Sequence, residues 1–288
     1  MKSNRNGRAL EYALTKNIQT KYPNAALTKG TIADQKRDKE KYDSLNAKQQ
    51  DYFDNNTKLY VESELADTEV VNIERLSDDK AKKGDVTDIR LTLKSGEEHN
   101  ISLKHNHKAV KHQRPGALIK QLGIADKEAD KEHKAEIKEV ESKFFNRIPD
   151  GLNTFEDVKS DNEEHINSLY RDICEHSAKQ INKHPENANE HFKFLVGATD
   201  FQKVVVTEHE VEVADFSKIK QPTTMAATVS ADNYVDLDFD NGFKFKMRLH
   251  TAKKDFKRNK TLSLKFDTQL DDDSGAIPVK TYEVKNKK

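Results

Sequence analysis

Two runs of strict alternation, Asp88-Ile-Arg-Leu-Thr-Leu-Lys94 and Asn100-Ile-Ser-Leu-Lys104, constrain this chain more than any other feature. Ile89, Leu91 and Leu93 fall on one side of the first run and Ile101 and Leu103 on one side of the second, the two-residue period of strands with one buried face. The intervening Ser95-Gly96-Glu97 predicts a hairpin turn. With both apolar sets on one sheet face and a three-residue loop at 95–97, Asp88 lies opposite Lys104, and Ser102 shares their polar face. Phosphodiester hydrolysis needs a hard divalent cation held by oxygen ligands, and it benefits from a fixed amine near the phosphate. Asp88 and Lys104 supply one group of each kind. The same pair also reads as a cross-strand ion pair worth roughly 0.2–1 kcal/mol at a wet surface.

Composition narrows the classes. Hydrophobic residues make up 34% of the 288 positions and charged residues 35%, so the core is lean and the surface heavily charged. With 50 basic and 50 acidic residues the formal net charge is zero, and any affinity for a polyanion has to come from local charge. The single cysteine, Cys174, excludes an internal disulfide and a cysteine-based zinc site and suits a reducing compartment. The first residues carry no apolar run and no stretch reaches membrane-spanning length, so a soluble, cytoplasmic protein is expected.

A helix is predicted from Gly7 to about Lys21, with Leu10, Leu14 and Ile18 at four-residue spacing. Glu11 sits at the edge of that stripe, where a carboxylate can either enter a cleft or stay solvated. Residues 33–54 read as one exposed helix contacting the core through Tyr42, Leu45 and Phe53, and 76–84 as a loop. The region 117–190 is helical in character, with a break at Pro149-Asp150-Gly151. Alternation returns in 201–213, 234–249 and 262–269, with Asp240-Asn241-Gly242 as a tight turn. The expected organisation is a part at 1–116 carrying the hairpin, a helical region at 117–190 and a mainly antiparallel β region at 191–288, all within one compact unit.

Directly after Lys104, the ten residues His105 to Arg114 hold three histidines, two lysines and an arginine. Lys108 and Lys111 are candidates for anchoring phosphates, and His107 and His112 can hydrogen-bond phosphates or base edges. Asn106 and Arg114 suit base edges, because an amide both donates and accepts and a guanidinium can grip guanine O6 and N7. Arg114, placed before Pro115-Gly116, equally suits bracing a turn. A histidine-metal nuclease is disfavoured, since His105 and His107 flank Asn106 too tightly for the spread-out motif of such enzymes.

At these residues the chain resembles the HaeIII family of type II restriction endonucleases, within the wider PD-(D/E)XK nuclease class. The resembling pieces are Asn6-Gly7-Arg8-Ala9-Leu10-Glu11-Tyr12-Ala13, Lys83-Gly84-Asp85-Val86-Thr87-Asp88-Ile89 and the run from Ile101 to His112, with looser echoes at 195–197, 200–204 and 262–267. The resemblance implies an α/β fold with a mixed sheet flanked by helices, a helical insert and a sheet-rich C-terminal part. It also implies magnesium-dependent cleavage of double-stranded DNA at GGCC, cut between the inner G and C to leave blunt ends. A palindromic site favours a homodimer, although short sites are also cut by monomers, and a methyltransferase would act on the same sequence. The class signature places a carboxylate two residues before the lysine, and Ser102 stands there instead. Glu11 is the candidate for the displaced acid, with Glu62 and Glu64 in reserve. Asp88 is preferred to Asp85 as first acid, and the main-chain carbonyl of Leu103 is expected on the metal. The alternatives are a non-catalytic DNA-binding module using the 104–114 patch and a structural interaction protein.

Overall fold

The apolar stripe read from the first helix is the foundation of the first sheet. In the computed structural model, which describes residues 2–76, 85–105, 111–198, 200–217, 219–258 and 260–284, helix α1 (Lys2–Lys21) buries Leu10, Ala13, Leu14 and Ile18 in one core with Ile73, Ile89, Leu91, Ile101 and Leu103. Two further helices pack on α1, α2 (Lys29–Asp43) and α3 (Ala47–Glu64). The single helix expected over 33–54 is therefore two. Asn46 starts a new one, its side-chain oxygen accepting from the Gln49 main-chain N–H at 2.9 Å, and capping by a short polar side chain of this kind competes with helix continuation.

Strands are numbered along the chain. The first sheet runs in the order β1 (Ala26–Leu27), β2 (Val70–Arg75), β3 (Ile89–Leu93), β4 (Glu98–His105), β6 (Gln202–Val206), β7 (Glu210–Asp215) and β12 (Val279–Glu283). It is mixed: β1 with β2 and β4 with β6 are parallel, and the remaining neighbours are antiparallel. Strand β2 escapes a periodicity reading because a bulge between Val70 and Asn72 breaks its alternation.

The predicted hairpin is present with its faces as read, but its register differs. Ile89 pairs with Ile101 and Arg90 with Asn100, so Asp88 stands against Ser102 rather than Lys104. The three-residue loop is Lys94-Ser95-Gly96, closed by Leu93 N–H donating to the Glu97 carbonyl at 2.9 Å. A loop of this length needs a left-handed residue at its last position, and Gly96, at φ +90°, supplies it where Glu97 would be strained. Moving the loop by one residue shifts the pairing by two, which is why every side chain keeps its face. Gly96→Ala is expected to cost about 1–2 kcal/mol in urea unfolding without changing the fold.

Parallel pairing of β4 with β6 demands a long crossover, and most of a second compact unit lies within it. The first unit comprises Met1–Lys108, Gly197–Ile219 and Ile277–Lys288, and the second Ala109–Val196 and Lys220–Ala276. The second unit holds a wholly antiparallel sheet in the order β5 (Lys111–Gln113), β11 (Leu264–Asp272), β10 (Lys244–Thr251), β9 (Tyr234–Phe239) and β8 (Met225–Ala231). The helical segment Phe155–Lys183, broken by a kink at Asn162, packs on β8, β9 and β10, and the helix Lys127–Arg147 packs on that segment. Gly242, at φ +92°, makes the tight turn between β9 and β10. Phe192, Phe239, Phe243 and Phe245 fill this unit's interior with edge-to-face contacts. Among the described residues no helix is long and apolar enough to cross a membrane.

Candidate active site

Asp88 lies at the entry of β3, and the end of β4 closes around it. Its Oδ2 accepts from the Leu103 main-chain N–H at 2.7 Å, from Ser102 Oγ at 3.4 Å and from Lys104 Nζ at 3.4 Å. The short bond to the backbone fixes the carboxylate, while the longer contact to Lys104, a third exposed, leaves that amine free to reach a substrate. Leu103 thus meets Asp88 through its N–H, and in β6 the register sets Lys203 beside Ser102, a second lysine on this polar face that the alternation alone does not single out. Asp85, the rival first acid, is engaged elsewhere: one oxygen accepts from the Thr87 N–H at 3.1 Å and the other pairs with Arg90 at 3.1 Å.

Glu11, on α1, contacts Arg75, which ends β2 in register with Ile89, the residue after Asp88. Burial pushes its carboxyl above the usual range, Arg75 pulls it down, and the like charge of Asp88 pushes it up again, leaving it raised. Its Oε2 accepts from Arg75 and, at 3.0 Å, from Arg8. Arg75 in turn pairs with the fully buried Asp38 at 2.9 Å. These two residues were not legible as site residues, because a strand-terminal arginine and a helical aspartate among many charges carry no distinguishing spacing.

The reserve acids lie apart from this region. Glu62 is exposed and pairs with Lys58 at 3.6 Å. Glu64, its side chain 4% exposed, accepts from Tyr282 and, at 3.0 Å, from Lys280, both on β12, and from Gln202 at 3.3 Å. These hydrogen bonds outweigh burial and hold its carboxyl below the usual range. His105, the first histidine of the basic patch, packs edge-on against Phe53 with ring centroids 5.3 Å apart, and burial lowers its pKa.

Of the remaining patch, Asn106, His107 and Lys108 lie outside the described residues. Lys111 and His112 occupy β5 at register positions opposite Thr268 and Asp267. Gln113, the next residue, is buried and accepts from Thr268 Oγ1 at 2.7 Å while its amide reaches His191 at 3.1 Å and Gln121 at 3.2 Å. That buried network pins the strand from which Arg114 emerges. The Arg114 side chain is exposed, and its carbonyl accepts from the Ala117 N–H at 2.9 Å, so the turn is braced through the backbone.

Among the described residues no group of three or more His, Cys, Asp or Glu side chains is placed to hold a metal ion. Asp88 and Glu11 offer carboxylate oxygens, the ligand type a hard cation takes, and magnesium is commonly held by one or two carboxylates with water and substrate phosphate completing its shell. A cation there would relieve the like-charge repulsion. A family model described as HaeIII restriction endonuclease matches residues 7–221, which include Glu11, Asp88, Leu103, Lys104 and the whole basic patch. No curated protein and no solved structure gives a significant match.

Proposed function

The chain belongs to the HaeIII restriction endonuclease family and is a type II restriction endonuclease; on that premise we propose that its first unit is a PD-(D/E)XK-type core hydrolysing double-stranded DNA at GGCC with magnesium. What supports this reading is the Asp88–Lys104 pair at the end of one hairpin, with Asp88 fixed by the Leu103 N–H, and Glu11 on α1 as a second acid whose carboxyl the charge of Asp88 helps to raise. Magnesium, when bound, supplies an activated water and neutralises charge building on the phosphate. The Asp88 and Glu11 carboxylates and the Leu103 carbonyl would hold it. Lys104 places positive charge where the phosphate becomes more negative, and Ser102, which offers only a hydroxyl, supports Asp88 rather than replacing the class carboxylate.

In this reading Lys108 and Lys111 anchor phosphates, Asn106 and Arg114 read base edges, and His107 and His112 contact phosphates or base edges. The cut falls between the inner G and C and leaves blunt ends. In this reading the enzyme acts in the cytoplasm, opposite a methyltransferase of the same specificity, and its palindromic site favours a homodimer over a monomer cutting one strand at a time.

Digestion of a fully sequenced duplex, with all ends mapped, tests the proposal. Blunt ends at GGCC are expected with magnesium, with no cutting in chelator and binding but little cleavage with calcium, whose looser shell positions water less well. Undiminished cutting in chelator removes the metal mechanism, and ends at another sequence remove the specificity.

A further inference from the structure

Arg75 is a buried charged group next to the site, paired with the fully buried Asp38. It ends β2, in register with Ile89, the residue after Asp88, and its side chain is 1% exposed. One terminal nitrogen contacts both Glu11 Oε2 and Asp38 Oδ2, the latter at 2.9 Å, and the other donates to Gln35 at 3.1 Å. Asp38 is itself held by Arg37 through bonds of 2.9 and 2.7 Å and by Lys41 at 3.1 Å. Burying so many charges is costly, and apolar residues of similar volume often stabilise a fold as well or better. A network of this kind calls for a role beyond packing.

We propose that Arg75 is the positioning residue of the cation site: braced by Asp38 and Gln35, it grips Glu11 through Oε2 and presents the other carboxylate oxygen to a divalent cation shared with Asp88. Arg8, from the preceding turn of α1, grips the same oxygen at 3.0 Å. Two donors on one oxygen fix the carboxylate's rotation, which a flexible glutamate side chain cannot do for itself. The inference rests on Glu11 being a metal ligand. Outer partners that orient ligands typically contribute about 10–100-fold to metal affinity, and Arg75 is placed to do so through its contact with Glu11.

The experiment measures Mn2+ affinity of the DNA-free full chain, from the electron paramagnetic resonance signal of the free ion, at one fixed pH. Four variants are compared with the parent: Glu11→Gln, Arg75→Met, Arg75→Lys and the Arg75→Met/Glu11→Gln double. Glu11→Gln and Arg75→Met are each expected to weaken binding about 10–100-fold, Arg75→Lys to recover part of the loss, and the double to bind no more weakly than Glu11→Gln. Parental affinity in Arg75→Met, with Glu11→Gln weakened, overturns the proposal and leaves Glu11 a ligand. A double variant whose loss is the product of the two single losses overturns it equally, since Arg75 then acts independently of Glu11. Parental affinity in Glu11→Gln overturns the ligand assignment, and the proposal with it. If Arg75→Met does not fold, Asp38→Asn replaces it in the same cycle, with a smaller weakening that must also vanish in the Glu11→Gln background.

Discussion

Asp88→Asn is expected to lower turnover by on the order of 10³-fold while leaving the fold intact. The amide oxygen can still accept the Leu103 N–H, so the local backbone keeps its 2.7 Å anchor, whereas the negative charge that would hold a cation is lost. Lys104→Ala is expected to fall in the same class. Its side chain is a third exposed and its contact with Asp88 is 3.4 Å, so little stability rests on it, and what disappears is positive charge near the attacked phosphate. Single-turnover cleavage of a duplex carrying one site, alongside urea unfolding, separates the two quantities. If either variant keeps parental turnover, the hairpin is not the catalytic element.

The second large effect distinguishes three glutamates by environment. Glu11→Gln is expected to lose about 10²–10³-fold in turnover, because its carboxylate shares the field of Asp88. Glu62→Gln should be indistinguishable from the parent, since that side chain is solvated. Glu64→Gln should keep its turnover and lose about 1–3 kcal/mol of stability, because the buried carboxylate ties α3 to Lys280 and Tyr282 of the edge strand β12. The inverse pattern, with Glu11→Gln active and Glu64→Gln folded but dead, would transfer the catalytic acid to the β12 side of the sheet.

Local chemistry made part of this molecule legible. Four-residue spacing of Leu10, Leu14 and Ile18 marks the buried stripe of α1, and alternation in 88–94 and 100–104 fixes which side chains share a face. A glycine near the turn determines the loop: a symmetric count centres it on 95–97, whereas the left-handed backbone that only Gly96 takes without strain sets it at 94–96. The division at Asn46 escapes a charge-pattern reading, because the charges run through it and only the cap marks the boundary.

What the sequence determined by itself is the set of faces and the family, because side-chain periodicity and contiguous motifs are properties of neighbouring residues. What only the tertiary structure decided is partnership across distance. Parallel pairing sets Ser102 beside Lys203, β12 returns from the far end of the chain to close on Glu64, and the two compact units are each assembled from separated stretches. The Arg75 network belongs to the same category. Its members at 11, 38 and 75 sit on α1, α2 and β2, and no local spacing specifies that three such elements converge; that follows from how their apolar faces pack, which places charged groups together as a consequence.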